Sequence, residues 1–155
     1  MTFQLRGIDP PPYEALFALD DHGLRRLGAK RCTADSDSGY PCRASLEDAK
    51  PGDELLLLSY EHQPADSPYR ASGPIFVRRG SMRAMPAPGV VPPYVSRRLM
   101  SLRAYDAGHM MIGAEVCEGE EVATELERLF ADPAVAYVHL HNARRGCFSC
   151  VAHRA

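Results

Sequence analysis

The stretch Glu120 to Asn142, "EEVATELERLFADPAVAYVHLHN", constrains the fold more than any other part of the chain. Val122, Leu126, Leu129 and Phe130 recur at helical spacing, so a helix over 120–131 carries one apolar stripe. Glu120 and Glu121 complement the positive end of its dipole, and Pro133 closes it. Beyond the proline the period drops to two: Ala136, Val138 and Leu140 share one face of a strand, Tyr137, His139 and His141 the other. Both apolar sets must leave water, and neighbours in sequence cover one another most directly. The Tyr-His-His set therefore faces away from the helix.

The rest of the chain supplies the remaining layers. "GIDPPPYEALFALDDHGLRRLGAK" reads as two short helices, with Asp9 as an N-cap before Pro10 and Gly28 ending the second, together forming an N-terminal helical flap. Residues 33–53 are a Ser, Asp, Gly and Pro-rich loop around a short element at 42–48. "ELLLLSYEH" is apolar on both parities over 55–58 and then turns polar, as a central strand does when it runs toward an edge. A second strand follows at 75–79, after which "RGSMRAMPAPGVVPP" is a long irregular connection. Residues 94–100 are one or two helical turns begun by prolines. "SLRAYD" and "MMIGAEVCE" flank Ala107, Gly108 and His109 as a hairpin, and "CFSCVAHR" is a last strand. The expected fold is α+β, one domain over 1–155: a mostly antiparallel sheet with the 120–131 helix on one face and the flap and loops on the other.

A chain of 155 residues with 45% apolar and 25% charged residues suits a globular core, and a net charge of -2 offers nothing to nucleic acid or anionic lipid. No apolar run approaches bilayer length and no leader pattern precedes the first element, so no membrane partner and a cytoplasmic location are expected. Five cysteines cannot all pair, which makes reduced thiols the expectation. Assembly into a homo-oligomer is compatible with the sequence.

Candidate chemistry gathers on the histidine face. Parity puts Arg103 and Tyr105 on one side of the preceding hairpin, able to join His139 and His141 if the strands are neighbours, while Tyr60 and His62 belong at the rim of the same cleft. With Asn142 and Arg144 these residues make a wall suited to a small polar or anionic molecule: arginine supplies charge, Tyr105 and Asn142 orient, and the histidines exchange protons. Arg43 and Arg70 are further loop arginines of the same type. In "SPYRASGPIFVR", Tyr69 and Ser72 either line the cleft or cap the turn. A metal-dependent enzyme is the alternative, with His139 and His141 about 6.6 Å apart along the strand and His109 as third ligand. No H-E-x-x-H motif fixes that third ligand, and hydrogen-bonded imidazoles are the simpler reading. No cofactor is identified, and no nucleophile has a base assigned by spacing. Cys147 and Cys150 in an extended segment point to opposite sides, against redox or zinc chemistry. A third alternative is a protein-interaction module docking through the 80–93 loop.

The segments "PCR", "YRASGPIFV", "RAYD" and "VHLHNAR" give the chain a likeness over nearly its whole length: it resembles DUF1203, a bacterial family of uncharacterised proteins. The resemblance implies a complete one-domain protein and brings no reaction, substrate or cofactor.

Overall fold

The computed structural model describes residues 2–155 as mixed α+β, with two five-stranded sheets. In chain order the elements are β1 (Phe3–Arg6), α1 (Pro11–Glu14), α2 (Asp21–Arg26), β2 (Lys30–Thr33), β3 (Pro41–Cys42), β4 (Glu47–Asp48), β5 (Glu54–Gln63), β6 (Ala71–Arg78), α3 (Pro93–Ser96), β7 (Leu99–Tyr105), β8 (Met111–Glu118), α4 (Val122–Phe130), β9 (Tyr137–Asn142) and β10 (Phe148–Arg154). The first sheet runs β1-β10-β9-β7-β8 and is antiparallel throughout. The second runs β2-β5-β6-β3-β4, antiparallel except where β3 meets β6.

The pairing expected between α4 and β9 forms. Val122, Leu126, Leu129 and Phe130 are buried in one cluster with Val138 and Leu140, joined by Leu102 and Ala104 of β7 and by Phe3 and Leu5 of β1. Burial of a leucine such as Leu126 is favourable by about 1.5–3 kcal/mol relative to leaving it exposed. Gly119, just before α4, lies so close to α3 that an added Cβ would sit 2.3 Å from the Val95 carbonyl oxygen. That approach brings α3 and the start of α4 onto the same side of the first sheet.

The other face is covered by more than a flap and loops, because the leucine strand heads a sheet of its own. Leu56 and Leu58 of β5 and Ile75 and Val77 of β6 form a second core with Phe17 and Leu24 of the flap and with Phe148 from the first sheet. The flap is capped by Asp20, whose side chain accepts from Gly23 N at 2.7 Å, rather than by Asp9; the residue before α1 is Pro10 and makes no side-chain cap. Gly28 ends the flap with φ +69. The 106–110 hairpin forms as expected, but α3 is only Pro93–Ser96 and β7 already begins at Leu99. Gly7 marks a junction between the sheets: its N–H bonds Ala84 O, Ile8 N bonds Arg43 O, and a Cβ at Gly7 would lie 2.0 Å from Ala44 O.

Candidate functional site

β9 is the middle strand of the first sheet, so His139 and His141 sit at its centre. Register places Arg103 opposite His139, Tyr105 opposite Tyr137 and Ser101 opposite His141 on the β7 side. On the β10 side it places Phe148 opposite His141 and Val151 opposite His139. Two bulges complete the arrangement. In β10 one extra residue lies between Phe148 and Cys150, so Phe148 and Val151, three apart in sequence, both meet the histidine side. In β5 the register slips between Tyr60 and Gln63, and the adjacent residues His62 and Gln63 both line the same cavity.

His62, His139 and His141 gather around the Phe148 ring. His62 stacks on it at 5.6 Å and 8°, while His139 and His141 meet it edge-on at 5.3 and 5.7 Å. His62 lies 4.8 Å from His141 and 6.2 Å from His139, centroid to centroid. Tyr105 and Tyr137 stack on each other at 5.2 Å and both flank His139. A cavity of about 730 Å³ opens here, with Tyr60, His62, Tyr137, His139, Arg6 and His153 in its wall.

Gln63 organises the hydroxyl side of the cavity. It is buried and donates from Nε2 to Tyr137 Oη at 2.9 Å. Tyr137 Oη lies 2.8 Å from His109 Nδ1. Asp106 Oδ1 accepts from Gly108 N and Met110 N at 2.9 Å each and so builds the hairpin tip that carries His109. His109 itself has φ +63, a left-handed conformation that costs a non-glycine residue energy.

The histidines are polar, buried and only partly satisfied. His141 Nδ1 is 2.9 Å from Gly146 O, an acceptor, so Nδ1 carries the proton and Nε2 is a bare lone pair. That Nε2, together with Nδ1 of His62 and of His139, is buried without a protein hydrogen-bond partner. Burial pushes His139 down to about 3, helped by repulsion from His141, His62 and Arg103. Burial pushes His141 down to about 4 despite the Gly146 bond, and again Arg103 adds to the effect. His62 is lowered by burial and Arg103, His153 by burial, Arg6 and Arg83. Every charged neighbour that shifts these four rings is basic. An ordinary histidine titrates near ~6.5, and burial with basic neighbours favours the uncharged form of all four rings.

Most of the expected wall is brought together. Arg103, Tyr105, His139 and His141 share a face, and Tyr60 and His62 approach from the second sheet. Tyr69 packs edge-on against Tyr105 at 5.9 Å. Ser72 is exposed on β6 and lies in neither cavity wall described here. Asn142 and Arg144 line a different cavity, since Asn142 follows His141 on the strand and has the opposite parity. Arg70 pairs with Glu61 at 3.3 Å. His109 lines the cavity and bonds Tyr137 there, while the ring that packs against both His139 and His141 is His62. Among the described residues no group of three or more His, Cys, Asp or Glu side chains is placed to hold a metal ion. Cys150 is in the helix-side core with its thiol pushed up to about 12 by burial, Cys147 lines the other cavity, and all five cysteines are free. The sequence reading missed Gln63 and Phe148, which depend on the two bulges. It also missed His153, which alternation from Val151 would have placed.

A family model described as a protein of unknown function, DUF1203, matches residues 39–154. The match takes in the leucine strand and the whole histidine face and leaves the flap outside it. No curated protein matches the chain, and no solved structure does. No helix among the described residues is long and apolar enough to cross a membrane.

Proposed function

We propose that this chain, which belongs to the DUF1203 family, binds a small anionic molecule in the cavity between the histidine face and β5. One observation carries the reading: Nδ1 of His62 and Nδ1 of His139 are buried in the cavity wall without partners, and as the Nδ1–H tautomer each can donate to an anion, while the charges that act on these two rings are positive. Buried polar groups in folded proteins are almost always satisfied, and a ligand supplies the missing bonds. Arg103, opposite His139 on β7, stands outside the cavity wall; Arg6 lines it, makes no ion pair among the described residues and has its Nε buried without a partner, so an anion there has a guanidinium to meet it. The neutral imidazoles of His62 and His139 then act as hydrogen-bonding groups around the charge, and Tyr60 closes the apolar side. Rings held uncharged at neutral pH suit recognition better than general acid catalysis, which needs a group that titrates near the working pH. The five free thiols fit a reducing compartment, and we assign the protein to the cytoplasm on that ground.

Thermal-shift and calorimetric titration with inorganic phosphate and a series of mono- and dicarboxylates test the reading. The expected result is an anion that stabilises the wild type, binds more weakly as salt rises, and loses tenfold or more in affinity in Arg6→Gln. An anion that binds wild type, Arg6→Gln and His139→Gln equally well would overturn it.

A further inference from the structure

We infer that a second cavity, separate from the histidine face, is a binding site for an amphipathic anion: an aromatic or aliphatic body ending in a phosphate, sulfate or carboxylate. The cavity holds about 470 Å³, and its wall joins the two sheets through Leu57 and Phe76 on one side and the turn between β9 and β10 on the other. Five arginines line it, 43, 97, 98, 144 and 145, against a single carboxylate, Glu118. Arg98 is neutralised by Asp48 at 2.5 Å, but the other four make no ion pair among the described residues.

Arg43 gives the site a fixed anchor. It is only 2% exposed, yet it has no counter-charge. Its Nε donates to Phe148 O at 2.7 Å and its Nη1 to Pro41 O at 2.8 Å, which locks the guanidinium plane and leaves Nη2 without a protein partner. Placing a cation so deep is costly unless something compensates its charge, and an anion in the cavity is the compensation that two carbonyls do not supply. Leu57, Phe76 and Leu99 give the cavity an apolar side, which a bare inorganic ion would leave uncovered and a hydrocarbon or aryl body would fill. Arg144 and Arg145 are exposed on the turn, where they can close over the head group by forked hydrogen bonds.

Isothermal titration of the intact protein with 1-naphthyl phosphate tests this, with inorganic phosphate and 1-naphthol as the two halves of the probe. Arg144→Ala/Arg145→Ala is the variant of choice, because both side chains are exposed and removing them leaves the cores intact. Saturable binding of 1-naphthyl phosphate, at least tenfold tighter than either half, is expected. That affinity should drop tenfold or more in the arginine variant and stay unchanged in His62→Gln/His139→Gln. Absence of saturable binding up to millimolar probe would overturn the inference, as would equal affinity for inorganic phosphate or equal affinity in the arginine variant. Loss confined to the histidine variant would place the probe in the other cavity and overturn it too.

Discussion

Acid should unfold this protein through His139 and His141, and the size of the effect can be worked from their environment. A free histidine titrates near ~6.5, whereas burial holds His139 at about 3 and His141 at about 4 in the folded chain. Unfolding therefore takes up two protons between those limits. Above pH 6.5 both states are neutral at these sites and the groups cost nothing. As pH falls through 6.5 the unfolded chain gains protons that the folded chain refuses, and stability drops until the folded pKa values are reached. Each group contributes about 1.4 kcal/mol per pH unit at full slope, so between pH 6 and pH 5 the pair removes about 2 kcal/mol. Carboxylates, with ordinary pKa values near ~4, add little in that interval. Urea denaturation at pH 7, 6 and 5, with wild type beside His139→Gln/His141→Gln, measures the difference. The wild type should lose about 2 kcal/mol more than the variant between pH 6 and 5, against a total stability on the order of 5–15 kcal/mol for a domain. Because the double variant removes packing, single variants and the titration of each imidazole resonance by NMR give an independent reading. Histidine resonances that titrate near 6.5 in the folded wild type, or equal acid losses in both proteins, would refute the reasoning.

Gly7→Ala should destabilise by about 2–3 kcal/mol in thermal or urea melts, because its Cβ would lie 2.0 Å from Ala44 O and backbone must move to make room. Thiol labelling of the native protein should modify Cys147 and Cys32 first, with Cys42, Cys117 and Cys150 reacting only on unfolding, and quantitative mass spectrometry of alkylated peptides reads the order.

The sequence revealed what short-range periodicity controls. The 3.6-residue repeat of α4 and the two-residue repeat of β9 were enough to put His139 and His141 on the side away from the helix. The same parity rule brought Arg103 and Tyr105 beside them. What it missed depends on partners far away in the chain. β1 is four residues long and pairs with β10 across nearly the whole sequence, Phe3 with Arg154, so no local pattern marks it as part of the sheet. The division into two sheets is of the same kind: the leucine strand reads as central whether its neighbours belong to one sheet or another. Asn142 was legible and misplaced, since the alternation that unites the two histidines already separates it from them. Gln63 was not legible, because a bulge suspends the alternation at that point.

The bulge in β10 has a bearing on how this family can vary. With one residue fewer between Cys147 and Val151, the alternation would run unbroken and Phe148 and Val151 could no longer occupy the same side, whatever amino acids stood there. The aromatic hub of the imidazole cluster is thus specified by spacing more than by side-chain identity. Relatives that keep the cluster should keep a small residue at Ser149, which is fully buried, and tolerate no deletion there, and an alignment that opens a gap at this point would be joining proteins with different interiors.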